Sequence, residues 1–395
     1  MFLGFAVAYF LSALLRAVTA TLAPAFSADL GLAAAELGLL AGAYFFGFAA
    51  MQLPLGSAID RFGPRRVQFT LMLLAVLGCG LFALARGLPA LLAARVLIGA
   101  GVAACLMSPL TAFRHRFSPA AQLRANSWML MTGSLGMLAS TLPVQWLLPS
   151  LGWRGLFWAV AAALAVSMAV MMRLVPRDAA PASLAMPAPA PTVPPAGYRE
   201  ILRHPLFLRL APLALFQYGG LIAVQALWAG PWLTQVGGRT PAEAAAGLFV
   251  VNGAMLFTFL AWGLVMPRLV ARGITALQVL RWGMPLPLLL LAHNVWAGAD
   301  AGPWAWAAWC VSCTCMSISQ PALAQVFPPA QAGRALSAYN LVIFGGVFTM
   351  QWGIGLAIDA LRGAGWAEAE AFRTAFGGFG VGCAAAYAWF LWRRA

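Results

Sequence analysis

Arg16 sits near the middle of the apolar run 2–26. An arginine at the centre of a membrane-length helix costs roughly 2.5–3.5 kcal/mol on insertion scales, so it must face water, a cavity or a partner. Tyr9, Ser12 and Thr19 fall at helical spacing from it and share its face. No acid lies nearby in sequence to neutralise it. Such a guanidinium suits a carboxylate or another small anion, which it can hold through two parallel N–H bonds. The structural alternative is an arginine tied to a backbone carbonyl or a hydroxyl. Arg95, in a later apolar run, is a lesser candidate for the same work, with the alternative of reaching outward from near Pro89 to the headgroups. A third polar group lies around 217–232, where Tyr218, Gln225, Trp228 and Trp232 share a stripe and Gln217 adjoins it. Two glutamines in a membrane helix face protein or water, either as substrate contacts or as helix-to-helix hydrogen bonds. No Asp or Glu lies deep in any apolar run; Asp60 and Asp359 stand at run ends. A cationic substrate, which usually wants a buried carboxylate, is therefore disfavoured.

The elements that must hold these residues follow from composition. The chain has 395 residues, 63% hydrophobic and 9% charged, which excludes a soluble domain. Twelve helices of about twenty residues with short loops use this length. Such a bundle leaves no unpaired backbone in lipid. The net charge of +14 comes entirely from arginine, with no lysine in the chain. With twelve spans assigned, sixteen of the 24 basic residues fall on one side, five on the other and three inside spans. That asymmetry is the positive-inside pattern; it places both termini in the cytoplasm and argues against nucleic acid as the partner.

The six cysteines lie in predicted spans, so no disulfide framework is expected. Cys310, Cys313 and Cys315 with Met316, joined by Met168 and Met172, admit a soft-metal reading. The three thiols do not share a helical face, so no metal or other cofactor is expected. His115, His204 and His293 are dispersed and no nucleophile–base pair is legible, so the chain is not read as an enzyme.

Between the apolar runs 37–55 and 68–85 lies a short charged turn: Gly56, Asp60, Arg61, Gly63, Pro64, Arg65 and Arg66. Gly56 permits close helix approach, Asp60 suits a helix N-terminus, and Gly63 with Pro64 punctuates the turn. This turn resembles the signature loop between helices 2 and 3 of the major facilitator superfamily. Arg95 and Gly99, four apart on the fourth helix, resemble a second pattern of that family. The resemblance implies an alternating-access transporter. It implies that Gly56, Asp60, Arg61, Gly63, Arg65 and Arg66 form a conformational latch, and that Arg95 helps to position or couple protons. The Gly-Pro signature of many drug antiporters is missing at Met131–Gly136, as is the longer signature of nitrate porters.

The first helix is expected over about 2–26, with no signal peptide because it lacks a charged leader and its apolar stretch is too long. A cytoplasmic tail would be expected before it. The loop 113–124 is read as cytoplasmic, the fifth helix as 126–147, and the eleventh as 334–358. The glycines and proline around 219–231 predict bends in the seventh helix. Pro176–Pro205 is rich in Pro and Ala and reads as an extended linker, with a short surface helix at 199–209. It divides an N-terminal six-helix bundle, 1–175, from a C-terminal one, 206–395. The halves repeat: Phe117, Pro119, Ala120, Arg124, Ala125 and Ser127 match Phe327, Pro329, Ala330, Arg334, Ala335 and Ser337 at one constant offset. Gly263–Arg268 followed by Gly273 reads as a decayed copy of the charged turn. Parallel six-helix repeats are how the superfamily is built.

The expected fold is therefore an all-α membrane protein of twelve helices in two six-helix bundles. The expected function is secondary transport of a small organic anion or polar metabolite. Its site would draw on Arg16, Tyr9, Ser12, Arg95, Gln217, Tyr218, Gln225 and Trp228. Proton coupling is the superfamily default, although the usual buried acid is absent and protons would have to travel on the substrate. The alternatives are an exporter of neutral amphipathic compounds and, outside transport, a membrane sensor or assembly factor, for which no regulatory domain is legible. The partners expected are a small-molecule substrate and the lipid bilayer, with the chain acting as a monomer. The abundance of Ala, Gly and Arg suggests a GC-rich bacterium and hence its inner membrane.

Overall fold

A computed structural model describes residues 1–176 and 198–393. Of the linker expected over 176–205, residues 177–197 lie outside them, as does the side chain of Asp60, while 198–205 are described and carry the short helix Tyr198–Arg203 and the first residue of the next helix. The described chain is helical, without strands. Nine of the described helices are each long and apolar enough to cross a membrane.

In chain order the helices are α1 (Phe2–Leu30), α2 (Ala34–Phe62), α3 (Pro64–Leu84), α4 (88–116), α5 (119–151), α6 (153–174), α7 (Pro205–Val236), α8 (Pro241–Ala271), α9 (276–297), α10 (303–324), α11 (Pro329–Gly363) and α12 (Glu368–Trp392). α5 and α6 are divided at Gly152, whose φ of 62° breaks the run 142–174. α4 is interrupted at Ala103, α5 at Ser140 and Thr141, and α9 at Met284, and α10 passes through a 3₁₀ stretch at Thr314–Ile318.

Several boundaries differ from the expectation for one physical reason. Gln122 and Arg124 read as loop, with the fifth helix expected only from 126, yet α5 already begins at Pro119. Ser118 before it is extended and Pro119 takes the first helical position, where its missing N–H costs nothing. α11 starts in the same way, with Pro328 extended and Pro329 first. The repeat thus extends to the helix starts. It extends to helix ends too: Gly63 closes α2 at φ 84°, and Gly273, at the offset that separates Phe117 from Phe327, follows α8 at φ 78°. Both positions need the left-handed backbone that glycine adopts without strain. The short surface helix is Tyr198–Arg203 and stops at His204, whose side chain caps the start of α7 by accepting from the Leu206 N–H at 3.2 Å.

α7 is where the glycines and proline act most. It alternates between α-helix and three π-helical turns, Ala214–Tyr218, Val224–Trp228 and Trp232–Val236. Such wide turns are rare and are frequently found at functional sites.

Contacts divide the described chain into two units. One holds 1–18 and 43–176; the other holds 19–42 and 198–393. The late part of α1 and the early part of α2 therefore pack among second-half elements. In the first unit α3 packs against both α4 and α6. α4 meets α2 so closely that a Cβ on Gly99 would overlap the Tyr44 carbonyl and lie 3.1 Å from the Phe48 nitrogen. This gives the Arg95–Gly99 pattern a local purpose: the glycine brings Tyr44 and Phe48 up to the helix that carries the arginine.

Gly99→Ala should therefore destabilise the protein by about 1–3 kcal/mol, as overpacking does. Gly353→Ala, at a glycine that faces open space, should not. Thermal unfolding of the two purified variants in detergent checks the contrast.

Candidate functional site

In the first unit α1 presents Tyr9, Ser12 and Arg16 on one face, and α2 meets that face with Tyr44 and Phe48. Tyr9, Ser12 and Tyr44 are buried, while Arg16 is half-buried. The Arg16 guanidinium lies 5.6 Å from the centre of the Phe48 ring and donates a hydrogen bond to the Tyr44 hydroxyl. That hydroxyl in turn donates to the Ser12 carbonyl at 3.4 Å. The Tyr44 and Phe48 rings stack with centres 6.2 Å apart. A guanidinium over an aromatic face is held by the ring's quadrupole and keeps its planar fork in one orientation. The Ser12 hydroxyl is buried beside that of Tyr44.

Arg95 approaches the same group from α4. It is fully buried, so it does not reach headgroups. One terminal nitrogen donates to the Leu15 carbonyl at 3.1 Å, and the guanidinium carbon lies 5.4 Å from the Phe82 ring centre and 6.0 Å from that of Phe157. Its Nε and Nη2 have no partner. α4 contains no Asp or Glu, and the acids of α1 and α2, Asp29, Glu36 and Asp60, stand at helix ends. Two cations thus share a low-dielectric region supplied with aromatic faces and hydroxyls. Tyr44, which lies within electrostatic reach of both Arg16 and Arg95, is the residue that sequence reasoning missed. The pair Tyr44 and Phe48, one turn apart beside Gly47, was the available signal.

The second unit treats its polar stripe differently. Gln217 donates to the Cys313 sulfur at 3.2 Å, Gln225 to Asn252 Oδ1 at 2.8 Å, and the Trp228 indole to the Gln351 carbonyl at 3.1 Å. All three donors are buried. These bonds tie α7 to α10, α8 and α11, which is what polar groups in hydrocarbon do when protein partners are within reach. Tyr218 is half-buried. Trp232 packs ring on ring against Trp306 and Phe376, with centres 5.1 and 4.9 Å away. Cys310, Cys313, Cys315 and Cys383 are free and buried.

At the charged turn the arginines separate. Arg65 is buried and donates to the Met172 carbonyl at 2.6 Å, in the last turn of α6, where the helix dipole favours a cation. Arg61 is exposed, 5.1 Å from the Phe62 ring centre. Arg66 is exposed on α3 and borders a groove with Pro54, Phe62 and Thr70. Gly56 faces open space; the close helix approach expected there is not made in this structure.

A family model described as the Major Facilitator Superfamily matches residues 5–348. A bacterial homologue of the human lysosomal transporter Spinster, in an inward-facing and unoccupied conformation, is similar at TM-score 0.77 and 19% identity, over 98% of this chain and 95% of that one. A D-xylose–proton symporter is similar at TM-score 0.74 and 15% identity, over 99% and 96%. A nucleoside transporter is similar at TM-score 0.74 and 14% identity, over 100% and 99%. A Haemophilus influenzae protein provisionally assigned as a metabolite transport protein is 30% identical over 161 residues, 39% of this chain. The match spans 38% of that curated relative's length.

The unmade bonds of Arg95 set the sign of one substitution. Replacing a poorly partnered buried charge by an apolar side chain of similar length is neutral or stabilising. Arg95→Met should match or exceed the parent in thermal stability. Arg95→Ala should lose about 2–5 kcal/mol to the cavity it leaves. Unfolding curves of the two variants test this; a large loss in Arg95→Met would contradict it.

Proposed function

The chain belongs to the major facilitator superfamily, and from that membership we propose that it carries a small organic anion by alternating access, with Arg16 as the anchoring group. It is a multi-pass membrane transporter; the cargo and the side chains that select it are the proposal. The observation that carries it is the half-buried Arg16 guanidinium, oriented by the Tyr44 hydroxyl and the Phe48 ring on helix faces that lack acids.

Each residue has a physical role in this reading. Arg16 binds the anionic oxygens through charge-assisted hydrogen bonds. Ser12 offers a buried hydroxyl beside that of Tyr44, and Tyr9 closes the face next to it. Arg95 adds positive potential without touching the cargo, because burial and the Leu15 carbonyl hold it back. Tyr218 supplies polar contact from α7, while Gln217, Gln225 and Trp228 shape the wall by holding α7 to its neighbours. With no acid deep in a span, a coupled proton would travel with the cargo rather than on a side chain. The arginine distribution places both termini in the cytoplasm. The composition suits a bacterial inner membrane and a monomer. Export of a neutral amphipathic compound along the aromatic part of α7 has less support, because Trp228 and Trp232 are fully buried against other rings and the backbone.

A ligand-stabilisation screen with small carboxylates and amines in parallel tests the reading. Carboxylates should raise the unfolding temperature and amines should not. A hydrogen bond to a charged group contributes about 1.5–3 kcal/mol, so Arg16→Gln should weaken carboxylate binding by about 10- to 150-fold. Stabilisation by amines, or carboxylate affinity unchanged in Arg16→Gln, would overturn it.

A further inference from the structure

We propose that Asp359 is a latch that holds the start of α2 against the end of α11 and must release during the transport cycle. Both segments belong to the second unit. The Ala34 N–H donates to Asp359 Oδ1 at 3.1 Å and the Ala35 N–H to Oδ2 at 2.7 Å, across 325 and 324 residues of chain. These are the first two backbone donors of α2, which have no partner within their own helix. They also form the positive end of its dipole, where a carboxylate is favoured.

The start of α2 is built to receive a side chain from elsewhere. Its cap position is Ala33, and alanine cannot cap. Glu36, three residues on, performs its half of a capping box by accepting from the Ala33 N–H at 3.0 Å. The other half comes from Asp359. That acid sits one turn before the end of α11, on the C-terminal half of its own helix, whose dipole offers it nothing, so its favourable contact is with the start of α2.

Below the cap the two helices touch along a seam. A Cβ on Gly355 would collide with the Ala34 carbonyl, one on Gly38 with the Gln351 carbonyl, and one on Gly42 with the Phe348 ring. Gln351, Gly355 and Asp359 are successive turns of one face of α11. The seam also carries a penalty: the Gln351 side-chain amide is fully buried, and neither its nitrogen nor its oxygen has a partner. An unsatisfied buried amide costs about 1–3 kcal/mol. A contact held by two charge-assisted bonds and opposed by an orphaned amide is closely balanced, which is what an element with two states requires.

The test needs no substrate, so it stands whatever the cargo. Leu37 is buried, lies one residue before Gly38 and lines a cavity with Trp228, Arg362 and Glu368. The six native cysteines are all buried, so Leu37→Cys gives a reporter for a polar maleimide on the purified protein. Adding Asp359→Asn should speed labelling about tenfold, and Asp359→Glu should return the rate toward that of the parent. Ala34→Pro removes one of the two donors at a position where proline suits a helix and should give an intermediate rate. Equal rates in folded Asp359→Asn and its parent would overturn the proposal. If Asp359→Asn does not fold, Ala34→Pro decides by the same criterion.

Discussion

Hydrocarbon offers a polar group nothing, so each one must be satisfied by protein or cost free energy. This constraint sorts the polar residues of the chain. Gln217, Gln225 and Trp228 meet it by bonding to neighbouring helices, and Arg65 meets it at the end of α6. Arg95 meets it with two aromatic faces and one backbone carbonyl, on a helix without an acid, and Arg16 lies over the Phe48 ring beside the Tyr44 hydroxyl. On the proposed reading an anionic cargo adds negative charge at this group.

The glycines act in the service of this arrangement. Gly99 lets α2 and α4 approach until Tyr44 and Phe48 lie beside the arginines. Gly38 and Gly355 do the same for α2 and α11 at the seam that Asp359 caps. α2 thus contributes to both: its middle lines the arginine group in one unit and its start joins the second unit.

Much of this was legible in sequence because it is local. A lone arginine in an apolar run, a charged turn between two runs, and a constant offset between halves are all readable along the chain. The starts of α5 and α11 were not, because Gln122 and Arg124 look like loop until the proline before them is recognised as a first helical residue. Gly219, Gly220, Gly230 and Pro231 predicted bends in α7; what the structure has there is π turns, whose form depends on tertiary packing. Tyr44 escaped notice because its importance comes from two other helices. Asp359 read as an ordinary helix-end acid, since its partners lie more than three hundred residues away.

The central claim concerns one guanidinium, and arginine side-chain ¹⁵N NMR observes it directly. With the Arg16 Nε–H resonance identified by its loss in Arg16→Lys, titration with a small carboxylate should move that resonance in a saturable way, while a matched amine leaves it in place. A carboxylate that binds the protein and leaves the Arg16 resonance unmoved would contradict the account.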